Sequence, residues 1–287
     1  MSEKVELRVH GPAALPTLVY LPGLHGDWTL IGGFRKALAG RARFAEMTYP
    51  RTLVWSLEEY AAGVEQALAQ AGIEGGWLLG ESFGSQVLWA LAARNRFQIQ
   101  GVILAGGFAR HPMHWGVCLA ERLCGNLSLG LVTRILFAYA RVARLRFRRE
   151  PEVLASIGEF ITRRTELDRQ AANHRLHLLA ANDPSALARQ IQAPMYALTG
   201  VLDPVVPWFL VRPWLKRNCR ALREYRILRA DHNVLSTASR AAADLVVQWM
   251  MEEIRNPKAW IAKLSGVGSA LNTEATDASV SRGDRTE

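Results

Sequence analysis

The sequence predicts an α/β protein built on a doubly wound, mainly parallel sheet with an inserted helical cap. Apolar strand patterns alternate with helical patterns up to about residue 106. Such alternation produces parallel strands joined by right-handed helical crossovers. From residue 111 to residue 190 the chain has helical patterns without a convincing strand, after which strand patterns return. The length of 287 residues, 49% of them hydrophobic, fits one large domain that carries an insertion.

Short segments bounded by turn residues carry the strand patterns. Residues 5–9 alternate apolar and polar side chains, as in a strand with one exposed face. Residues 17–21 form a continuous apolar run that ends at Pro22-Gly23, which is typical of a strand covered on both faces and closed by a turn. The other predicted strands span residues 44–49, 77–79, 102–104, 195–199 and 224–228.

Helical spacing of apolar residues predicts the elements between these strands. Residues 28–39 form the first predicted helix. Ser56, with Glu59 three residues later, predicts the capped start of the second, which ends near Gly72. Residues 234–253 are predicted to close the domain as one amphipathic helix. The predicted organisation is a core at residues 1–110 and 191–256, a helical cap over one sheet edge at 111–190, and a mostly disordered tail at 257–287.

The positive charge of the chain is concentrated in the predicted cap. The net charge is +9, and residues 111–190 contain 12 arginines, no lysine and 7 acidic residues. No nucleic-acid-binding motif accompanies these arginines, so we expect no nucleic-acid partner. The basic helical pattern at 134–149 could rest on an anionic membrane or bind a phosphorylated substrate arm such as coenzyme A. The favoured interpretation is a helix with its apolar side inward and its arginines in water.

Cysteine usage and hydropathy bear on the compartment. Cys118, Cys124 and Cys219 are too few and too scattered for a disulfide framework or a zinc cluster. The first apolar stretch, residues 13–24, contains two prolines and is better explained as a strand than as the core of a signal peptide. No apolar run reaches 18 residues, so we expect no transmembrane helix and a location in the reducing cytoplasm.

Residues 80–84, Gly-Glu-Ser-Phe-Gly, match the G-x-S-x-G pattern of a nucleophile elbow. A predicted buried strand ends just before this pattern and a helix begins just after it. On such a sharp turn the hydroxyl of Ser82 is lifted out of the sheet, and the flanking glycines let neighbouring backbone pass closely. The alternative is an ordinary strand–helix turn with an incidental serine. The context favours Ser82 as a nucleophile.

A serine nucleophile needs a base and a group that orients the base. Of the seven histidines, His232 follows the last predicted strand and precedes the last helix. This position lies at the carboxyl ends of the strands, where ligands bind in such sheets. Asp203 directly follows the strand at 195–199 and is the predicted orienting acid. Asp231 is a poorer candidate because neighbouring side chains on extended backbone point apart, and Asp183 is weaker because it lies within the insertion.

The loop at residues 21–26, Leu-Pro-Gly-Leu-His-Gly, is the predicted partner of the elbow in an oxyanion hole. Its glycines let main chain approach a substrate closely, and we expect the backbone N–H groups of Leu24 and Phe83 to be the two donors. His25 is interpreted as a pocket-lining residue and not as a base. Two histidine pairs have helical spacing but lack a convergent carboxylate or cysteine, so neither a metal nor a cofactor is expected.

On these residues the sequence resembles the α/β-hydrolase family. The resemblance runs from about residue 16 to residue 253, and residues 111–190 fall where this family carries its variable cap. The chain order Ser82, Asp203, His232 is also the order found in the family. The resemblance implies that Ser82 is the nucleophile, His232 the base and acid, and Asp203 the residue that orients the histidine.

The sequence departs from the family pattern at two positions. Pro22 replaces the usual histidine of the oxyanion loop, which changes no main-chain donor. Asp231 replaces the common glycine before the histidine, where it either disturbs the histidine's loop or adds a negative charge that favours the imidazolium.

The function predicted from the sequence is hydrolysis of a small-molecule carboxylic ester, with a thioester as the close second. The serine is acylated and then released by water, and no cofactor or metal takes part. Two alternatives remain open from the sequence. The same residues could pass the acyl group to an alcohol or thiol, as in an acyltransferase, or the chain could be a binding protein that kept the fold without turnover.

Overall fold

A seven-stranded sheet forms the centre of the structure. The structure is a computed structural model that describes residues 4–148, 150–219 and 222–256. The spatial order of the strands is β1-β3-β2-β4-β5-β6-β7. β1 runs antiparallel to β3, and the other neighbouring pairs are parallel. The predicted α/β class with a mainly parallel sheet is therefore confirmed. The strands are β1 (Glu6–His10), β2 (Thr17–Leu21), β3 (Arg43–Thr48), β4 (Gly75–Glu81), β5 (Gln98–Ala105), β6 (Met195–Gly200) and β7 (Arg223–Ile227).

Helices connect the strands and cover both faces of the sheet. They are α1 (Gly32–Leu38), α2 (Leu57–Gln70), α3 (Gly84–Arg94), α4 (His114–Asn126), α5 (Leu129–Arg146), α6 (Pro151–Thr162), α7 (Glu166–Ala181), α8 (Ser185–Gln190), α9 (Trp208–Asn218), α10 (Val234–Thr237) and α11 (Ser239–Arg255). Five of them, α4 to α8, stand between β5 and β6, in the segment predicted to be helical. None of the helices described here is long and apolar enough to cross a membrane. The predicted tail at 257–287 lies outside the described residues.

Alternation along the strands builds two hydrophobic cores, one on each face of the sheet. In β2, Val19 and Leu21 point into the core that contains α2 and α3, whereas Leu18 and Tyr20 point into the core that contains α1 and α11. All four side chains are fully buried. Burying an aliphatic side chain of this size contributes about 1.5–3 kcal/mol relative to leaving it exposed. The apolar run in the sequence therefore reflects a central strand covered on both faces.

The first two helices differ in how well local sequence predicts their starts. α2 begins where predicted, with the Ser56 hydroxyl and the Glu59 side chain forming a capping box. The prediction that α1 begins at Trp28 is wrong, because this helix begins at Gly32. An Asp27 carboxylate oxygen accepts hydrogen bonds from the Thr29 backbone N–H at 3.0 Å and from its hydroxyl at 2.6 Å. Such side-chain bonding to nearby backbone competes with helix formation.

The sequence patterns predict the helices after β6 and β7 less well than they predict the start of α2. The sequence patterns did not predict α9, which contains Pro213 in its interior, and Val211 and Leu215 anchor it in the core. The single closing helix predicted at 234–253 is divided at Ala238, whose φ of −141° interrupts the helix between α10 and α11. No proline or glycine marks this break in the sequence.

α5 carries apolar residues on two faces. One face follows the favoured interpretation, since Leu136, Tyr139 and Ala143 pack inward against α6. The interpretation is wrong for the other face, where side chains such as Val142 and Leu145 are 63% and 80% exposed. The physical reason is that α6 covers only part of the helix circumference, whereas apolar residues extend beyond the covered part.

Candidate active site

Ser82 stands on the sharp turn between β4, which ends at Glu81, and α3, which begins at Gly84. Its φ of 50° lies in the left-handed region, which costs a non-glycine residue about 1–3 kcal/mol. The backbone N–H of Ser82 donates to the Ala105 carbonyl at 3.1 Å. A Cβ atom on Gly84 would lie 2.0 Å from the Leu21 carbonyl oxygen, so the turn fits only with glycine there. The predicted elbow geometry is present.

A chain of hydrogen bonds connects Ser82 with the predicted histidine and aspartate. His232 Nε2 lies 2.9 Å from Ser82 Oγ, and His232 Nδ1 lies 2.8 Å from Asp203 Oδ2. The three residues are far apart in sequence but follow β4, β6 and β7 at the carboxyl ends of these parallel strands. The aspartate carboxylate is buried, while the histidine side chain remains 15% exposed. The structure thus brings together the three side chains chosen from the sequence.

The Asp203 carboxylate is fixed by two further donors. Its Oδ1 accepts hydrogen bonds from the backbone N–H groups of Val205 and Val206, both at 2.8 Å. Its Oδ2 faces His232 Nδ1. With both oxygens engaged, the carboxylate has a defined orientation and favours the histidine tautomer that carries its proton on Nδ1. In that tautomer, Nε2 is free to accept the serine proton.

The loop after β2 lies directly against the elbow. A Cβ atom on Gly84 would lie 2.8 Å from the Pro22 carbonyl oxygen, so loop and elbow are in backbone contact. A tight turn shapes the loop, because the Gly26 N–H donates to the Gly23 carbonyl at 3.0 Å. The two predicted oxyanion donors, the N–H groups of Leu24 and Phe83, therefore belong to adjacent segments.

Comparison with known proteins identifies the family. Residues 45–239 match the family described as α/β hydrolase fold. This chain belongs to the α/β-hydrolase family. Solved structures agree in fold: an enol-lactonase from Burkholderia xenovorans LB400 is 21% identical, with a TM-score of 0.67 over 86% of this chain and 96% of that chain. No curated protein matches the chain.

Two esterases are also similar to this α/β hydrolase. A thermophilic esterase from Thermogutta terrifontis is 19% identical, with a TM-score of 0.68, and the match covers 86% of this chain and 93% of that chain. The esterase RhEst1 from Rhodococcus sp. ECU1013 is 16% identical, with the same TM-score of 0.68 and coverage of 86% and 94%. Identities this low establish the shared fold.

The two aspartates that the sequence disfavours, Asp231 and Asp183, have partners other than His232. Asp231 Oδ2 accepts from Arg146 Nη1 at 3.1 Å, and its Oδ1 accepts from the Asn233 N–H at 3.1 Å. Asp183 pairs with Arg110 at 3.3 Å. Although Asp231 is adjacent to the histidine in sequence, its carboxylate contacts the α5 helix.

The two histidine pairs with helical spacing are His111 with His114 and His174 with His177, and one ring of each pair lies against a backbone carbonyl. His111 Nε2 lies 3.1 Å from the Val205 carbonyl, and burial lowers the pKa of this ring. His174 Nε2 lies 2.8 Å from the Trp55 carbonyl. Across the described part of the chain, no group of three or more histidine, cysteine or carboxylate side chains could hold a metal ion.

His25 belongs to a buried cluster behind the elbow. The Tyr20 hydroxyl donates to Glu81 Oε2 at 2.5 Å and lies 3.4 Å from His25 Nε2. Burial lowers the pKa of His25, which outweighs the opposing influence of the Glu81 and Asp27 carboxylates. Burial also raises the pKa of Tyr20 well above its ordinary value. These contacts connect the loop after β2 to the buried side chains of Tyr20 and Glu81, and they place the His25 ring next to the Tyr20 hydroxyl.

Two arginines of the helical segment hold the loop after β2, and sequence reasoning missed both. Arg175 of α7 is 2% exposed and donates to the carbonyls of Leu24 and Pro50, each at 2.9 Å. Arg164, which follows α6, donates to Asp27 Oδ2 at 2.6 Å. Nothing in their spacing distinguishes these two from the other arginines of the segment.

The pKa of Asp27 reflects this contact. Burial alone raises the pKa of the carboxyl group, but the His25 ring, the Arg164 guanidinium and the Thr29 hydroxyl outweigh burial and lower the pKa to about 2. The carboxylate is therefore ionised at neutral pH, and it forms a buried ion pair with Arg164. This pair connects the helical segment to the loop beside the elbow.

Proposed function

We propose that this α/β hydrolase is a serine hydrolase that cleaves a small-molecule carboxylic ester, with a thioester as the second substrate class. The observation that carries the proposal is the hydrogen-bonded chain of Ser82, His232 and Asp203, with distances of 2.9 and 2.8 Å. The similar structures include an enol-lactonase and several esterases, which supports ester bonds as the target.

In the proposed first step, Ser82 Oγ attacks the carbonyl carbon of the ester while His232 Nε2 takes the hydroxyl proton. Asp203 keeps the ring oriented and stabilises the imidazolium that forms. The tetrahedral intermediate collapses when the imidazolium returns this proton to the leaving alkoxide, and acyl-Ser82 remains. A water molecule then repeats the sequence, with His232 as base, and releases the acid.

The oxyanion of each tetrahedral intermediate is proposed to accept hydrogen bonds from the backbone N–H groups of Leu24 and Phe83. These groups lie on the loop after β2 and on the elbow, which are in backbone contact. Removing one such donor typically costs about 3–4 kcal/mol of transition-state stabilisation. The amino end of α3, directly after Phe83, adds a favourable field for negative charge.

We further propose that residues 111–190 act as the cap of this hydrolase. The support is that side chains from this segment contact both loops beside Ser82. Arg175 of α7 bonds to the Leu24 carbonyl, and Arg146 of α5 bonds to the Asp231 carboxylate next to the histidine. A segment in contact with both loops is well placed to influence which substrates reach Ser82.

Replacing the nucleophile tests the proposal. Ser82→Ala should abolish hydrolysis of p-nitrophenyl acyl esters and labelling by a fluorophosphonate probe, because no hydroxyl remains to be acylated. Asp203→Asn should lower kcat by roughly 10⁴-fold through the wrong histidine tautomer. Ser156→Ala, at a half-buried serine on α6 whose hydroxyl bonds to the Glu152 carbonyl, is the matched control and should keep full activity.

Equal activity in Ser82→Ala and wild type, with unchanged thermal unfolding, would contradict the nucleophile assignment. Product analysis with added alcohols or thiols separates the hydrolase from an acyltransferase, because the latter forms a new ester or thioester in place of the acid. Failure of the wild-type chain to react with the probe would favour a binding protein that kept the fold without turnover.

A further inference from the structure

The α5 helix carries an exposed apolar stripe. Leu131, Ile135, Val142 and Leu145 are spaced four, seven and three residues apart, which places them on one face of a helix. Their exposed fractions are 42%, 54%, 63% and 80%. Single exposed apolar residues are normal on protein surfaces, but a row of four along one helix indicates an interaction surface.

Arginines accompany this stripe without compensating acids. Arg134 and Arg141 are exposed and seven residues apart, so they lie along the same side of the stripe, and Arg144 is exposed farther around the helix. Residues 126–149 contain no aspartate or glutamate. The face is therefore both apolar and strongly positive.

A second exposed apolar row precedes this helix. On α4, Trp115, Leu119 and Leu123 repeat every fourth residue and are 71%, 49% and 56% exposed. α4 ends at Asn126 and α5 begins at Leu129. Two consecutive helices thus expose apolar rows, one of which contains a tryptophan, the side chain preferred where an apolar phase meets water.

The combination of charge and apolar exposure decides between possible partners. A second copy of this face would bring two sets of arginines together, which like-charge repulsion opposes. A nucleic acid would pair with the arginines but would leave the apolar stripe without an apolar partner. An anionic bilayer offers both an apolar phase and phosphate groups, which is how basic amphipathic helices bind at membrane surfaces.

We propose that the exposed face of α5, defined by Leu131, Ile135, Val142 and Leu145 with the arginines beside them, docks on the surface of an anionic lipid bilayer. The apolar side chains enter the region of the acyl chains while the guanidinium groups meet the lipid phosphates. α5 also contacts the loop of His232, since Arg146 bonds to Asp231. As a consequence that rests on the proposed function, Ser82 would receive esters dissolved in the bilayer.

Binding to vesicles tests the docking surface without any substrate. The full chain should co-sediment with large unilamellar vesicles of phosphatidylglycerol and phosphatidylcholine in equal parts, and much less with phosphatidylcholine alone. Replacing the stripe in the variant Ile135→Ser, Val142→Ser, Leu145→Ser should reduce the bound fraction by roughly tenfold. A matched control with Val54→Ser and Ile254→Ser, which are 79% and 50% exposed before α2 and near the end of α11, should bind like wild type.

A charge variant provides a second and independent measurement. Arg134→Gln, Arg141→Gln and Arg144→Gln together should lower binding to the anionic vesicles by roughly tenfold or more, and added salt should weaken wild-type binding in the same direction. This variant alters only exposed side chains. Its vesicle binding therefore still tests the proposal if the stripe variant with three serine substitutions folds poorly.

Four outcomes would overturn the docking proposal. The first three are no binding to either vesicle type, equal binding to both types, and an equal loss of binding in the control variant. The fourth is that the chain associates with itself, that the stripe variant abolishes this association, and that vesicles do not change it. The last would identify a second copy as the occupant of this face. Because Ser82→Ala should bind vesicles like wild type, a failure of docking and a failure of the proposed hydrolysis remain distinguishable.

Discussion

Two sets of arginines in the helical segment between β5 and β6 differ in what surrounds them. Arg164 and Arg175 are directed toward the loop after β2, where their N–H groups meet backbone carbonyls and the Asp27 carboxylate. Arg134 and Arg141 of α5 are exposed to solvent beside an apolar stripe. Arginine therefore has two roles in this segment. The buried arginines hold a loop through fixed hydrogen-bond partners, whereas the exposed arginines add positive charge to the surface.

The largest loss of stability is expected when the buried side chain of Arg175 is truncated. Arg175→Ala leaves the carbonyls of Leu24 and Pro50 without their donor and opens a cavity, so the free energy of unfolding should fall by about 3 kcal/mol. If Leu24 supplies an oxyanion donor as proposed, kcat for ester hydrolysis should also fall roughly tenfold, with a smaller change in KM. Denaturant unfolding and steady-state kinetics measure the two effects.

Arg175→Met separates stability from positioning. Methionine refills much of the cavity and removes a guanidinium whose Nε has no hydrogen-bond partner among the described residues, so part of the lost stability should return. The Leu24 carbonyl remains without its donor, so kcat should stay low. Full recovery of kcat in this variant would contradict a positioning role. Arg163→Ala, on an exposed side chain, is the matched control and should cost less than 1 kcal/mol, the upper value for a surface pair.

A smaller and pH-dependent effect is expected from the contacts of the Asp27 carboxylate with His25, Arg164 and Thr29. Although burial opposes them, the His25 ring, the Arg164 guanidinium and the Thr29 hydroxyl together lower the pKa of Asp27 from 3.8 to about 2, which corresponds to about 2 kcal/mol of stability for the three contacts combined. Because this pKa is depressed in the folded state, the stabilisation is complete above pH 4 and is lost as the pH falls toward 2. Asp27→Asn should therefore be less stable than wild type by about 2 kcal/mol at pH 7.

The difference between Asp27→Asn and wild type should shrink as the pH is lowered from 4 toward 2, as measured by denaturant unfolding at several pH values. Asp244→Asn is the control, since this carboxylate is 56% exposed and pairs with Arg41 on the surface. A constant difference between Asp27→Asn and wild type at every pH would show that the variant acts through packing and not through the ionised pair.

The same contrast explains which parts of the molecule the sequence could predict. The elbow around Ser82, the capping box at Ser56 and the strand β2 depend on short-range patterns, and the structure has them where the sequence predicts them. His232 and Asp203 could be chosen because parallel strands bring their carboxyl-end loops to one edge. For these two residues, the topology of the sheet indicates which distant parts of the chain come together.

The contacts of the helical segment could not be predicted in this way. Helical periodicity tells which residues share a face, but it does not tell which other element covers that face. Arg175 and the exposed Arg134 therefore look alike in the sequence, although one is buried against a loop more than 120 residues away and the other lies in solvent. The exposure of the α5 stripe could not be predicted for the same reason, because the sequence does not show that α6 covers only one face of this helix.

The smallest effect on stability is expected for the exposed arginines. The triple variant Arg134→Gln, Arg141→Gln, Arg144→Gln should change the free energy of unfolding by no more than about 0.5 kcal/mol, because surface substitutions away from caps and buried partners rarely do more. Hydrolysis of a water-soluble ester should also be unchanged, since these side chains do not contact the elbow. A loss of stability comparable to that of Arg175→Ala would mean that these arginines have partners within the fold, and the distinction between a structural and a docking set would fail. A loss of vesicle binding without a loss of stability would instead separate the two sets by function, because only the exposed set would have its partner outside the molecule.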